Sequence, residues 1–451
     1  MNFPVPTRRL VVLAAAVSIG LWLLPDLGRL DMLGVGFDVR FVGVNGVLLA
    51  LAVVDGVLAP GPATVQVRRV HPRLMTLDVE SAITLEVEPK VGQRRWGASS
   101  QVRVADQLAP SLRAATRRVT VALPQQGMVR ATIPLVPTRR GRFEPAEIVV
   151  RTSGPLGLVN KQRRRNEPTM FKVIPPFRSA RDAELILRRA RTLEIGIRSA
   201  RVGGGGTEFD SLRELTPDDE TRRIDWAATA RSQRPIVRTY RAERNQTVLC
   251  LLDSGRTMAG RVDGVPRLEH AMDGAMLLAE LATGLGDRMG LLAFDTGINA
   301  SIEPSNRRSQ RATVTETLFD LEPALAESNY QQAATHVLAR YRRRAFLVIL
   351  TELGREAIEQ FLMPALPLLI RTHIVVIAAL RDPDVVHWTG ATTNDEDGAF
   401  LRSASVAALN DREVVAARLR AMGTIVVDTE PARFSSTLGE VYLDAKAAGR
   451  L

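Results

Sequence analysis

Hydrophobic and polar positions change their spacing repeatedly along the chain, and each change predicts a different kind of element. Leu10 to Leu24 carries no charge, and Phe41 to Ala59 is a second apolar run, interrupted by Asn45 and Asp55. Together they predict a two-helix membrane hairpin within residues 1–62, with spans at about 10–25 and 41–59. From Thr64 to Pro176 the period becomes two, as in Ile83-Thr84-Leu85-Glu86-Val87-Glu88 and Val129-Arg130-Ala131-Thr132-Ile133, punctuated by Pro89, Gly92, Pro124, Gly127 and Gly141. That spacing predicts an antiparallel, immunoglobulin-like β-sandwich over residues 63–177. Ser179 to Ile195 has helical spacing and is expected to join the soluble domains, within a segment spanning 178–246. From Thr247 onward, short apolar runs alternate with helices: strands at Thr247–Leu252, Arg288–Phe294, Phe346–Leu350, Thr372–Ala379 and Thr424–Val427. Residues 247–451 therefore predict an α/β domain with a doubly wound parallel sheet.

The first apolar run reaches only about 22 Å at 1.5 Å per residue, short of the ~30 Å hydrocarbon core. Arg8 and Arg9 can snorkel at its start, and Ala14/Ser18 and Gly46/Ala50 supply small residues for close helix pairing. A cleaved signal peptide is the rival reading, but no small-residue cleavage site follows Leu24 and a second span comes soon after. Arg8 and Arg9 before the first run, and Arg68, Arg69 and Arg73 after the second, place both termini and the soluble domains in the cytoplasm. Asp55 reads as an interfacial carboxylate near the cytoplasmic end of the second span, with a relay or partner site as the alternative.

Charge sharpens the picture. The chain has 60 Lys and Arg against 49 Asp and Glu, a net charge of +11, and among the basic residues only Lys90, Lys161, Lys172 and Lys446 are lysine. Codon bias in a GC-rich genome is one reading of this charge; an anionic partner is the other. Lys161 to Arg165, Arg188 to Arg191 and Arg342 to Arg344 suit anionic lipid headgroups. Nucleic acid ranks below lipid, because aromatic residues are 5% of the chain and no aromatic-interleaved basic stripe is present. Cys250, the single cysteine, excludes an internal disulfide and reads as a buried core thiol. His71, His270, His336, His373 and His387 are scattered without metal-ligand spacing, so neither a zinc site nor a Ser-His-Asp enzyme finds support.

The densest signal lies between Gly203 and Met258. Seven carboxylates and seven arginines interleave from Glu208 to Arg241 with Phe209, Leu212, Leu215, Ile224, Trp226 and Tyr240, predicting a folded ion-pair layer. Gly203 to Gly206 lacks the Gly-Lys-Ser/Thr of a phosphate loop and reads as a hinge. Pro217-Asp218-Asp219 reads as a turn whose carboxylates cap a helix or pair with Arg222 and Arg223. The apolar strand Thr247–Leu252 then ends on Asp253, where α/β sheets place their ligands.

Gly206, Glu208-Phe209, Leu212-Arg213-Glu214, Pro217-Asp218-Asp219, Arg222, Ile224-Asp225-Trp226 and Arg231, followed by the strand ending at Asp253 and by Met258, resemble the bacterial family labelled domain of unknown function fifty-eight. The resemblance implies an N-terminal membrane hairpin, a β-rich module and a domain similar to von Willebrand factor type A. It also implies work with a MoxR-type AAA+ ATPase. A type A-like domain often holds a divalent cation through D-x-S-x-S after its first strand. Here the stretch is Asp253-Ser254-Gly255-Arg256-Thr257, with Glu352 where the later aspartate would stand. Mg²⁺ or another divalent cation held by Asp253, Thr257 and Glu352 is one reading. Pairing of Asp253 with Arg213 or Arg231 is the other. The function expected is a non-catalytic adaptor or scaffold at the bacterial inner membrane, using Glu208, Phe209, Arg213, Asp218, Asp219, Arg222, Asp225, Trp226 and Arg231 as its interaction stretch. The alternative is a metal-dependent hydrolase using Asp253, Asp218 and Asp219, and a nucleic-acid binder ranks third.

Overall fold

The computed structural model describes residues 3–23, 29–32, 35–90, 101–122, 127–200, 208–216, 221, 224–241, 245–392 and 395–448. The chain divides into two compact units, Met1–Ile174 and Pro175–Leu451.

In the first unit, strand β1 (Phe3–Pro6) leads into helix α1 (Arg8–Trp22), a hairpin of β2 (Arg29–Met32) and β3 (Val35–Asp38), and helix α2 (Val39–Leu58). Helices α1 and α2 lie against each other. Among the described residues one helix, Phe41–Thr64, is long and apolar enough to cross a membrane. Then come β4 (Val65–Val70), β5 (Leu74–Thr76), β6 (Ser81–Pro89), β7 (Gln101–Asp106), β8 (Arg118–Ala122), β9 (Val129–Leu135), β10 (Gly141–Phe143), β11 (Glu147–Ser153), β12 (Val159–Asn166) and β13 (Phe171–Ile174). They form sheets of order β1-β12-β11-β7-β8, β4-β6-β9 and β10-β13-β5. The ladders are antiparallel except between β5 and β13, which run parallel.

The alternation sends Val65 and Val67 of β4 inward, and the next inward position is Arg69. Arg69 is therefore a core residue and not a surface charge of the kind that sets orientation. Its guanidinium grips Asp106 with two hydrogen bonds, of 2.9 and 2.6 Å, and both side chains are fully buried. The paired geometry offsets the desolvation of two charges. Two features of this unit go beyond the sequence reading. The N-terminal β1 is an edge strand, with Phe3 opposite Gln162 and Pro6 opposite Val159. Asp55, read from the sequence as an interfacial carboxylate, is fully buried within the first unit. It accepts from the backbone N–H groups of Leu156, Leu158 and Val159 at 2.6, 2.7 and 2.9 Å, which ties the end of α2 to the turn between β11 and β12.

The second unit contains α3 (Ala180–Ala200), β14 (Glu208–Glu214), α4 (Trp226–Ser232), β15 (Ile236–Arg241), β16 (Thr247–Asp253), the short pair β17 (Arg261–Val262) and β18 (Val265–Pro266), α5 (Arg267–Gly284), β19 (Arg288–Phe294), β20 (Ile298–Ser305), α6 (Gln310–Leu318), α7 (Tyr330–Arg340), β21 (Phe346–Leu350), α8 (Arg355–Ala357), α9 (Leu366–Ile370), β22 (Ile374–Leu380), α10 (Pro383–Gly390), α11 (Glu396–Ala421), β23 (Ile425–Thr429) and α12 (Pro431–Ala447). The main sheet has the order β20-β19-β16-β21-β22-β23. It is parallel apart from β20, which returns antiparallel along β19. Val248, Cys250 and Leu252 face one core with α5 and α12; Leu249 and Leu251 face the other with α7, α9 and α11. Burial on both faces is why these strands read as unbroken apolar runs.

Helix α3 is no free connector. Ala183, Leu187 and Ala190, spaced to share one face, are buried in the core with α5 and α12. The approach is close enough that a Cβ at Gly284 would meet Leu187 at 2.8 Å. Helix α11 begins at Glu396, its first turn capped by Asp395 accepting from the Gly398 N–H at 2.8 Å.

Removing the Asp55 carboxylate takes the partner from three N–H groups, two of them in buried bonds, so Asp55→Ala is expected to destabilise the first unit by about 3 kcal/mol. Gly154→Ala should act on the same contact, because a new Cβ would run into the Asp55 carboxylate. A double-mutant cycle followed by thermal unfolding should show strong non-additivity; additive losses would mean that the two positions act separately.

Candidate functional site

Strand β16 lies at the centre of the main sheet, with β19 on one side and β21 on the other. The chain passes first to β19 and only later to β21, so the strand ends of β16 and β21 flank a topological switch point. Asp253 sits there, fully buried. Its Oδ1 accepts from the Gly255 N–H at 2.8 Å and from the Ser328 hydroxyl. Its Oδ2 accepts from the Tyr330 and Thr351 hydroxyls, each at 2.7 Å. Four donors thus hold one buried carboxylate. Burial, followed by the Asp253 charge, pushes the Tyr330 hydroxyl well above its ordinary pKa, which keeps it a donor.

The segment 324–330 closes over this carboxylate. The Ala324 N–H donates to the Ser254 carbonyl at 2.7 Å, the Arg256 N–H to Ala326 at 2.9 Å, and the Asn329 N–H to Asp295 at 2.7 Å. Arg256 forms an ion pair with Glu327. Ser254 is buried, donates to the Phe294 carbonyl at 3.0 Å and accepts from Asn299 at 3.2 Å. Gly255 is forced by this closure, since any Cβ there would collide with the Ser328 oxygen. Ser328 therefore occupies the space a middle serine of D-x-S-x-S would need. Leu325, at the crest of the closing segment, is 83% exposed.

Glu352 belongs to a different network. Its carboxylate is paired with Arg412, and Arg267 Nε lies 3.2 Å from its second oxygen. Arg412 also bonds Asp428 at 2.8 Å and the Leu380 carbonyl at 2.6 Å, and Arg381 reaches Asp428 at 2.9 Å. Burial acts to lower the Arg412 pKa, but Glu352 and Asp428 outweigh it and raise the pKa. The candidate ligands Asp253, Thr257 and Glu352 do not fit a divalent cation in this arrangement: the Asp253 oxygens are taken by hydrogen-bond donors and Glu352 by guanidinium groups. Among the described residues no group of three or more His, Cys, Asp or Glu side chains converges as a metal site. Nor is Asp253 paired with Arg213 or Arg231. Arg213 donates to Glu214 O at 3.1 Å and Thr216 Oγ1 at 3.3 Å, and Arg231 to Ala227 O at 3.1 Å. Burial pushes the Cys250 thiol pKa up, so it is no nucleophile.

The described residues of the stretch from Glu208 to Arg241, called the hallmark unit below, fold as a small strand–helix–strand unit. Glu208 and Phe209 open β14, opposite Arg241 and Tyr240 of β15. Asp225 caps α4, accepting from the Ala228 N–H at 3.0 Å, and its other oxygen accepts from Arg238 at 2.7 Å. The Asp225 N–H donates to Ile236 at 2.8 Å, so one residue joins helix and strand. Arg234 and Glu214 form a second ion pair at 2.7 Å. Trp226 is 71% exposed on the first turn of α4. Asp218, Asp219 and Arg222 lie outside the described residues.

The sequence reading missed Ser328, Tyr330, Arg412 and Asp428, which reach the site from distant segments with no local spacing to betray them. Thr351 was accessible to it: it ends a fully apolar strand beside Glu352, the same signal that marks Asp253.

Gly255→Ser is expected to destabilise the second unit by about 2 kcal/mol, because its side chain would meet Ser328. Adding Ser328→Gly should recover part of the loss in chemical denaturation; no recovery would mean that Ser328 is not the obstacle. The Ala228 N–H, then Arg238, hold the Asp225 carboxyl below its usual range. Its stabilising contribution is therefore full above the ordinary value of about 3.9 and is lost as pH falls through the depressed one. Hydrogen exchange at the Ala228 amide should accelerate, relative to its intrinsic rate, over that acid window in wild type but show no such step in Asp225→Asn.

Residues 211–385 match the sequence model of a family described as Protein of unknown function DUF58. Uncharacterized proteins of Mycobacterium tuberculosis and Mycobacterium bovis are 23% identical over 231 residues, covering 48% of this chain and 72% of theirs. Among solved structures, a conserved hypothetical protein BatB from Bacteroides thetaiotaomicron is 13% identical, covers 46% of this chain and 99% of its own, and has a TM-score of 0.29. An uncharacterized membrane spanning protein from Vibrio fischeri is 15% identical, with coverages of 46% and 99% and a TM-score of 0.18. Scores this low leave the fold to be read from strand order alone. The family match runs from β14 to α10 and takes in most of the hallmark unit together with Asp253, Ser328, Tyr330, Thr351 and Glu352.

Proposed function

We propose that this chain is a non-catalytic adaptor anchored in the bacterial inner membrane by a two-helix hairpin, with its soluble units in the cytoplasm. In this reading the first unit is an immunoglobulin-like sandwich and the main sheet of the second is a von Willebrand factor type A-like domain. By family resemblance, its partner is a MoxR-type AAA+ ATPase whose work it directs onto a client during assembly or maturation.

The pairing of β1 with β12 supports the hairpin. The strand before α1 and the strands after α2 share one sheet. A chain that leaves through α1 and returns through α2 crosses an even number of times, which suits two spans better than one. The observation that carries the adaptor reading is the sealed Asp253. A buried carboxylate with its oxygens engaged by Gly255, Ser328, Tyr330 and Thr351 is neither a free base nor an open ligand. Above it the segment 324–330 presents exposed Leu325, and the hallmark unit presents exposed Trp226. Exposed large apolar groups on ordered elements suit protein docking. The same observation weighs against the metal-dependent hydrolase.

Affinity capture of the tagged, detergent-solubilised chain from its native host tests this. An AAA+ ATPase should co-purify with wild type, and Leu325→Asp and Trp226→Ala, both at exposed positions, should each lower its recovery about tenfold. Recovery of the wild-type chain alone would overturn the adaptor reading. Undiminished recovery with both variants would remove these two residues from the docking surface.

A further inference from the structure

Several structural features converge on the end of the first unit where α1 and α2 enter it. Arg8 and Arg9 open α1 and are exposed. Arg9 passes 3.3 Å from where a Cβ at Gly157 would sit, in the same turn that holds Asp55. On β12, Lys161 and Arg163 share one face of the strand. Lys161 donates to the Ala59 carbonyl, just past the end of α2, at 2.9 Å, and keeps further N–H donors; Arg163 is exposed. Arg8, Arg9 and Arg163 form no ion pair among the described residues.

The neighbouring acids are already engaged. Asp55 is buried and turned onto three backbone N–H groups, away from these cations' ion-pairing reach. Glu86, Glu88 and Glu167 line a cavity of about 530 Å³ together with Arg68, Lys90 and Arg165, where the charges balance. Arg164, on the opposite face of β12, lies 3.6 Å from Glu147. What remains is a surplus of four cations: Arg8, Arg9 and Lys161 at the base of two apolar helices, and Arg163 two residues further along β12.

We infer that Arg8, Arg9, Lys161 and Arg163 form a collar that binds the headgroups of anionic phospholipids at the cytoplasmic leaflet. The inference rests on the membrane-anchor reading and names the lipid class that the anchor selects. The helices present exposed apolar side chains on one side of this level, among them Val11, Val12, Leu51, Val54 and Val57. Arg8, Arg9 and Lys161 therefore sit where acyl chain would give way to phosphate, with Arg163 next on the same face of β12. Arginine suits the role because its planar fork can bind two phosphate oxygens. A cluster of four basic residues beside a span meets the usual size of an anionic-lipid site. The clamp of Asp55 on the turn 156–159 holds the collar at a fixed height relative to α2, so headgroup binding would also orient the first unit.

The test uses the full chain reconstituted into vesicles of phosphatidylcholine alone or mixed with phosphatidylglycerol. Resistance to alkaline carbonate extraction reports anchoring. Native mass spectrometry of the re-solubilised chain reports which lipid is retained. Wild type should resist extraction and retain phosphatidylglycerol over phosphatidylcholine, and the triple variant Arg8→Gln/Arg9→Gln/Arg163→Gln should lose that preference by about fivefold per charge removed while still resisting extraction. Equal retention of both lipids by an anchored wild type, or an unchanged preference in the triple variant, would overturn the collar alone. Release of wild type by carbonate would overturn the anchor reading and the collar with it. Displacement of phosphatidylglycerol by millimolar inorganic phosphate would overturn the lipid assignment in favour of a free-phosphate site.

Discussion

The second unit depends on satisfying one buried carboxylate. Asp253 ends the central strand of a sheet covered on both faces, so water cannot solvate it, and its charge must be met by protein donors. Those donors come from Gly255, from Ser328 and Tyr330 at the start of α7, and from Thr351 at the end of β21. Meeting the need therefore fixes the path of three separate segments. Hydroxyl donors do this without a counter-charge, which leaves the arginines nearby free to pair with Glu352 and Asp428.

The same device recurs where distant segments must be joined. Asp55 fastens α2 to the turn between β11 and β12. Asp287, fully buried, takes the Tyr442 hydroxyl and Lys446 and so fixes α12 at the start of β19. Asp273 accepts from the Ser179 N–H at 3.1 Å and the Ser435 hydroxyl at 2.8 Å, linking the approach to α3 with α12 through α5. Arg69 and Asp106 join β4 to β7. A chain with a single cysteine has no internal covalent staple, and these bonds supply long-range fastening in its place. Each is costly to break from one side only, since the partner then stays buried and unpaired.

This also explains what the sequence could and could not disclose. The parallel strands were legible because burial on both faces demands unbroken apolar runs: Arg288–Phe294 and Phe346–Leu350 have the bounds their composition predicts. The edge strand β20 was not, because half of Ile298–Ser305 faces solvent and Pro304 weakens its strand character. β1 was hidden by two prolines in a short edge segment. At the site, Asp253 was legible from strand-end position alone, while Ser328 and Tyr330 are 75 and 77 residues away. Asp55 looked like a blemish in an apolar helix because its donors are backbone groups, which carry no side-chain signature.

Burial of carboxylates has a consequence for the exterior. Among the described residues, Asp55, Asp106, Asp225, Asp253, Glu269, Asp273 and Asp287 are buried, against Arg69 and Arg140. The surface is therefore more basic than the net charge of +11 states. An interior that consumes acids as fasteners exports its arginine surplus to the outside, where it acts over about a Debye length. In the first unit that surplus gathers at Arg8, Arg9, Lys161 and Arg163, beside the apolar helices. The acid spent there, Asp55, sets the height at which those charges stand. Fastening and surface charge are thus one arrangement: the carboxylate that locks α2 to the turn between β11 and β12 also fixes where the nearby cations stand.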